Sequence, residues 1–494
     1  MELHYLVALR MARTLNGERA WPWLVVLLAL LALRLYLAAS LPLAYDEAYY
    51  WLWSTQLAPG YFDHPPMVAF VIRAGTALFG QTEFGVRIMS VLFAIPASWL
   101  VWRTALVLFQ DKAIAARATL YFNLTLLVNV GLLIATPDAP LLLATALALY
   151  CLAQLAATQR PHWWLAIGVA VGLGLLSKYT AFFTGFSIAL WLVCTPSMRH
   201  WLRTPWPYLA GMLTLALFTP VVWWNMQHDY ASFAKQFGRA VSHGFTLRYE
   251  PGLWGEMIGL LGPPIFILAF AGLWRSVAHR TGIAAGPWLL GVMIMPLMLY
   301  FSWHALHANV EGNWLLPMFP AAAIAAAWGA SFAANSRMLR AARLSAMPVG
   351  IVLFGALVLH TIMPVYVSQD HDYTSRKLGF GISDLARNIE AIRVRENASA
   401  VTADNYSTTS WLSFYLPPGS RVLQLGDPIR WVNFEGRDPA TLAVPFLYVT
   451  DEAHDQANNF PLPGKTLTLL VTLTRVAHGV ELKQYRVYRV ASMR

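Results

Sequence analysis

The sequence predicts a polytopic α-helical membrane protein of about 11 transmembrane helices, with interfacial juxtamembrane helices and a small C-terminal α/β domain outside the membrane. Three observations predict it. Composition comes first: 57% of the 494 residues are hydrophobic and 12% are charged, against roughly 25% charged in soluble domains, and the mean hydropathy is +0.50. The second is a series of apolar stretches near the length of a spanning helix, which needs about 20 residues. The third is a change of composition near residue 367, after which polar residues and short alternating apolar runs take over.

Taken in order, the apolar stretches run over 21–43, 86–109, 116–135, 138–157, 163–177, 179–195, 207–224, 253–274, 286–302, 314–332 and 346–366. The pair separated by Ser177 and Lys178 is the shortest. The first stretch is long and has no small-residue cleavage site behind it, so it reads as a span and not as a removable leader. Between the first two spans, residues 49–57 and 66–79 are apolar and aromatic yet too short or too interrupted to cross, as interfacial helices are. Cys151 and Cys194 both lie in apolar runs and read as packing residues.

Charge sets the expected orientation. With the N-terminus in the cytoplasm, the inside segments collect fourteen Lys and Arg, among them Arg10, Arg13, Arg19 and Arg280. The outside loops before residue 367 hold six, with nine acids, which is the positive-inside bias. The net charge of +10 therefore reads as topology, and no nucleic-acid motif accompanies it. Residues 1–366 form the expected membrane domain, with its first outside loop at 44–85, and 367–494 the outside domain. That domain has near-balanced charge, a helix expected around Ile382 to Arg393, and strands at Thr466 to Thr472 and Tyr485 to Val490.

Candidate chemistry lies at the outside ends of the spans. Asp46 and Glu47 leave the first span together within Tyr45-Asp46-Glu47-Ala48-Tyr49-Tyr50-Trp51. A solvated interfacial turn would have such a sequence; so would a base with its orienting partner, or a divalent-metal site. Asp138, in Thr136-Pro137-Asp138, stands at a helix start, where the dipole favours an acid. Lys178 and Arg87 sit at span ends, where they could snorkel or could neutralise an anionic leaving group. A polar loop from His228 to Glu250, containing Lys235, Arg239, His243 and Arg248, reads as an acceptor-facing or gating segment.

The string from Asp46 to Arg87 resembles the first outside loop of the GT-C glycosyltransferases related to lipid A aminoarabinose transferase and protein O-mannosyltransferase. The shared features are the acid pair, the aromatic helix, the element Tyr61-Phe62-Asp63-His64-Pro65-Pro66, a Phe-Gly, and the Arg entering the second span. The resemblance implies transfer of a sugar from a polyprenyl phosphate donor to lipid A, another envelope glycolipid or, less favoured, a protein, at the periplasmic face of a bacterial inner membrane. It implies Asp46 and Asp138 as catalytic acids, with Glu47, Tyr50, Asp63, His64, Arg87, Lys178, Glu311, Asn313 and Trp314 as substrate contacts. Glu311 to Trp314 resembles a substrate-facing family element ending in Asn-Trp, and His64 falls where the aminoarabinose transferases carry Lys, which would make its contribution depend on pH. No cofactor is required by the pattern. A divalent metal, if bound, would fall to Asp46, Glu47 and Asp138.

A transporter or flippase is the alternative. Its ionisable residues should approach mid-membrane and its halves should repeat, whereas here the acids collect at span ends and no repeat is visible. A binding protein acting through its C-terminal domain would leave the Asp46 to Arg87 string unexplained. Arg34, inside the first span, needs a partner that the sequence does not identify, and Asn123-Leu124-Thr125 is a glycosylation sequon buried in a span.

Overall fold

The computed structural model describes residues 21–238, 244–278, 285–363, 373–436, 438–455, 457 and 460–493. The expected domain boundary, at residues 366 and 367, lies outside the described residues, as do Arg10, Arg13, Arg19, Arg239, His243 and Arg280.

The described residues of the eleven apolar stretches lie largely on helices; seven helices are long and apolar enough to cross a membrane alone, or up to ten spans result if each bent pair is one, against the eleven expected. His162–Ser177 is a helix of 16 residues, which at about 1.5 Å per residue falls short of a hydrocarbon core of about 30 Å. Two stretches expected as single spans are broken. Residues 253–274 divide between Glu250–Leu261 and Pro263–Ala278, bent by 101°. Gly262 sits there at φ +86°, a conformation that glycine alone adopts at no steric cost, and Pro263 then begins the next helix.

The other break, of 64° between Lys112–Leu124 and Leu126–Leu133, gives Arg34 its partners. Asn123 accepts from Nη1 of Arg34 at 3.2 Å, and Asn129 accepts from Nη2 at 2.8 Å and Nε at 3.2 Å. The Asn129 amide nitrogen donates to the carbonyls of Asn123 and Thr125, which flank the break. A guanidinium that is 1% exposed is thus solvated by two side-chain amides. The sequon asparagine is one of them.

The C-terminal domain is a five-stranded sheet in the order β2-β1-β3-β5-β4, with β1 Val401–Ala403, β2 Val422–Gln424, β3 Phe446–Asp451, β4 Lys465–Ala477 and β5 Val480–Ser492. β1 runs parallel to β2 and β3, while β5 runs antiparallel to β3 and β4. The expected helix is present as Ile382–Arg395, and a second one, Tyr406–Tyr415, was not anticipated. Its N-cap is Asn405, whose Oδ1 accepts from the Thr408 amide at 2.8 Å.

This domain is fused to the first outside loop through a common core. Leu43, Tyr49 and Trp53 pack in one buried cluster with Leu385, Trp411 and Leu447. Trp411 donates Nε1–H to the Leu43 carbonyl at 2.9 Å, and the Leu43 amide donates to the Tyr415 hydroxyl at 2.8 Å. Of the loop's two helices, Tyr45–Thr55 packs on Met67–Phe79, which leans on the second span where Gly75 meets Gly85: a Cβ on Gly75 would stand 2.2 Å from the Gly85 carbonyl.

Replacing Arg34 with Met should leave the Asn123 and Asn129 side-chain oxygens buried without that donor, costing about 1–3 kcal/mol. Thermal unfolding in detergent should show a lower midpoint for R34M than for the wild type; equal midpoints would mean that the amides find other donors.

Candidate active site

One buried ion pair holds the frame of the site. Glu47 is fully buried and accepts from Nε of Arg87 at 2.7 Å and from Nη2 at 2.5 Å. Its two oxygens also accept from the Ala44 and Ala135 amides, both at 2.9 Å. Arg87 donates its remaining protons to the carbonyls of Leu41 at 2.5 Å and Pro42 at 2.9 Å. Four segments therefore meet on one ion pair: the end of the first span, the Tyr45–Thr55 helix, the second span, and the turn before Asp138.

That turn delivers the next cluster. Asp138 is 4% exposed and opens the helix Asp138–Thr158. Its Oδ1 accepts from Nζ of Lys178 at 2.7 Å, and its Oδ2 accepts from the Asn313 side-chain amide at 2.9 Å. Lys178 lies where His162–Ser177 ends, in extended backbone (φ −157°, ψ 143°) that breaks the helix and turns the side chain toward Asp138.

Asp46, one residue before Glu47, is half-buried. The Tyr406 hydroxyl, from the C-terminal domain, donates to its Oδ1 at 3.2 Å. Burial raises the carboxyl to about 6, against the opposing charge of Lys377 and the Tyr406 hydrogen bond. Tyr50 links the two acids. Burial, followed by the charges of Asp46, Asp63 and Asp138, raises its phenol well above the ordinary value, so the ring reports all three carboxylates from one position.

Asp63 anchors two further cations. Lys235 donates to its Oδ1 and Arg430 to its Oδ2, while the Tyr49 hydroxyl donates to Oδ2 at 2.9 Å. Burial alone would raise the Asp63 carboxyl, but Arg430 and Lys235 outweigh it and hold it below the usual range. Arg430 lies over the Tyr406 ring at 4.5 Å and the Phe62 ring at 5.3 Å. Next in the chain, His64 has a buried Nδ1 with no hydrogen-bond partner. Burial and then Lys178 push its imidazole down to about 3, so it is neutral at any physiological pH. The expected pH dependence at His64 is therefore absent, and the titrating group near neutrality is Asp46.

Several expected substrate contacts face elsewhere. Glu47 and Arg87 spend their hydrogen bonds on each other and on backbone, so neither presents a free charge to a ligand. Trp314 packs against Phe301 and His304 inside the helical body. Glu311 is exposed and acts electrostatically on Tyr45 and Glu256, at the rim of the site. The divalent-metal set is also dispersed, since Glu47 is held by Arg87 and Asp138 by Lys178, and among the described residues no three His, Cys, Asp or Glu side chains gather as metal ligands. Tyr406, Lys377 and Arg430 reach the site from beyond residue 370, from stretches that carry no motif.

Residues 63–224 match the family model for dolichyl-phosphate-mannose-protein mannosyltransferase. The chain is 28% identical over 429 residues, 84% of its length and 87% of the relative's, to a lipid A galacturonosyltransferase of Rhizobium johnstonii. Over 122 residues, 24% of this chain and 22% of the other, it is 34% identical to the undecaprenyl phosphate-α-4-amino-4-deoxy-L-arabinose arabinosyl transferase of Erwinia tasmaniensis. The crystal structure of ArnT from Cupriavidus metallidurans bound to undecaprenyl phosphate superposes with a TM-score of 0.67 at 16% identity, covering 96% of this chain and 99% of that one. The chain thus shares its fold with the ArnT structure and is similar in sequence, over most of its length, to the lipid A galacturonosyltransferase. It is a multi-pass membrane protein whose helical body carries a small sheet domain.

The two adjacent acids should separate in stability measurements. Glu47→Gln leaves the buried Arg87 uncompensated and should cost about 3–5 kcal/mol. Asp46, with its folded value raised above the unfolded one, disfavours the folded state once ionised, so above pH 6 Asp46→Asn should unfold at the wild-type temperature or higher. Thermal unfolding in detergent, at a pH about one unit or more above the Asp46 midpoint, checks both. Equal losses in the two variants would contradict the division of roles.

Proposed function

We propose that the protein transfers a sugar from a polyprenyl phosphate-linked donor to an envelope glycolipid, lipid A foremost, at the periplasmic face of the inner membrane. In this reading the N-terminus is cytoplasmic and the C-terminal domain periplasmic, as the charge asymmetry of the loops supports. The observation that carries the chemistry is a half-buried Asp46 with a carboxyl raised to about 6, across Tyr50 from the Lys178–Asp138 pair and the unpartnered His64.

Direct displacement fits that arrangement. The acceptor hydroxyl gives its proton to the Asp46 carboxylate as its oxygen attacks the anomeric carbon. The bond from that carbon to the phosphate oxygen breaks, and the polyprenyl phosphate leaves with the electron pair. Lys178, held by Asp138, supplies positive charge to the leaving phosphate, and neutral His64 supplies a hydrogen bond from whichever ring nitrogen carries the proton. Charges so placed in a poorly solvated site act strongly because little water screens them. Glu47 and Arg87 position these groups without touching substrate.

The likeness to a galacturonosyltransferase over 84% of the chain supports a uronic acid as the sugar. The arabinosyl relatives match over about a quarter of the chain.

Purified protein, polyprenyl phosphate donors and lipid A, with products read by mass spectrometry, test the proposal. Transfer should require no ion gradient, and Asp46→Asn should lower kcat by about 10²- to 10⁴-fold, the usual contribution of a general base. The wild-type rate should rise with pH through a single limb near pH 6, where Asp46 ionises. Wild-type turnover by D46N, or movement of lipid across the bilayer without bond cleavage, would refute the assignment.

A further inference from the structure

A cavity opens beside Tyr45, the residue before Asp46. It has a volume of about 470 Å³ and lies between the start of the Tyr45–Thr55 helix and the C-terminal domain. Arg376, Lys377, Arg475 and Lys483 line it, together with the hydroxyl residues Ser407 and Thr408, and no carboxylate is among its described lining residues. The Arg475 guanidinium is held by three backbone carbonyls, those of Ser375, Leu378 and Phe380, so hydrogen bonding fixes it in place while leaving its charge unneutralised by those partners. Trp411 underlies it at 4.7 Å. Lys377 donates to the Tyr45 hydroxyl and also acts electrostatically on Asp46, which puts the cavity and the base on either side of one ammonium. Ser407 and Thr408 belong to the first turn of Tyr406–Tyr415, whose positive dipole end adds to the field.

Of these cations only Lys377 acts on Asp46, and the phosphate-facing Lys178 is paired with Asp138. A guanidinium fixed by backbone carbonyls, with further guanidinium and ammonium groups around the same cavity, suits phosphate or carboxylate. We propose that this cavity binds an anionic group, phosphate or carboxylate, on the acceptor glycolipid, and so brings the acceptor hydroxyl to Asp46. The proposal rests on the glycosyltransferase reading and adds to it the part of the acceptor that the enzyme recognises. The lipid-facing body holds the donor tail; the C-terminal domain, through this cavity, selects the acceptor.

Arg376 and Lys483 are exposed, so their substitution should leave the fold intact. Arg376→Gln is the variant used, with Lys483 and its pair to Asp451 at 2.8 Å left in place. The full-length protein in nanodiscs of zwitterionic lipid is assayed with lipid A and with its dephosphorylated form. For the wild type, removing the phosphates should raise the acceptor KM about tenfold, the scale of one charge-assisted hydrogen bond. R376Q should raise the KM for lipid A by a similar factor, lose the discrimination between the two acceptors, and keep the donor KM and kcat. An unchanged acceptor KM, a changed donor KM, or an effect seen only in nanodiscs of anionic lipid would overturn the proposal. The last outcome would assign the cations to the bilayer surface. If no transfer occurs at all, the catalytic reading fails separately, and equilibrium binding of lipid A without donor still decides the role of the cavity: R376Q should bind about tenfold more weakly than the wild type, and equal binding would overturn the proposal.

Discussion

The Glu47–Arg87 pair is the interaction on which the rest of the site depends. A carboxylate and a guanidinium, both removed from solvent, are tolerated only because every strong hydrogen-bonding direction of the acid is filled and most of those of the base are. Because those bonds go to Ala44, Ala135, Leu41 and Pro42, pieces of chain that are distant in sequence are held in one geometry. Asp46 is the neighbour of Glu47, and Asp138 follows Ala135 by one turn. The pair therefore sets the separation between the base and the phosphate-facing cluster without taking part in the chemistry.

Around that frame the site is built in two layers of charge. Asp138 and Asp63 are each matched to cations from another part of the chain, so they hold Lys178, Lys235 and Arg430 in fixed positions. Preorganised charge of this kind needs little rearrangement during reaction. Asp46 accepts instead from the Tyr406 hydroxyl, and burial brings its proton affinity near neutrality. His64, by contrast, is held neutral by the same burial, so a single environment gives one group a titration near pH 6 and removes titration from its neighbour.

Much of this could be read from the sequence because membrane burial and charge placement leave strong local patterns. The eleven apolar stretches, the strand hairpin of the C-terminal domain and the Ile382–Arg395 helix all follow from periodicity. Asp46, Asp138 and Lys178 stood out because each is a charge at the end of an apolar run. What sequence could not convey was direction. Asp46 and Glu47 look like a functional couple, yet successive residues on a helix point about 100° apart. One therefore faces the cleft and the other the interior. Arg87 was misassigned for the same reason, as a cation near a span end whose partner is 40 residues away. Tyr406, Lys377 and Arg430 come from a domain with no local motif, and only the tertiary core shared by Trp411 and Leu43 brings them to Asp46.

The bends at Thr125 and Gly262 mark the corresponding limit for spans: hydropathy detects length but not breaks, which arise from single residues such as Gly262 or from a buried cation that draws Asn123 and Asn129 toward itself. The position of the donor phosphate distinguishes this site from any other use of the same charges. A cryo-electron microscopy structure with a non-cleavable polyprenyl phosphonate sugar measures it directly. The phosphonate should lie between Lys178 and His64, with the anomeric carbon turned to Asp46. A phosphonate seated instead among Arg376, Lys377 and Lys483, with Asp46 far from the sugar, would contradict it.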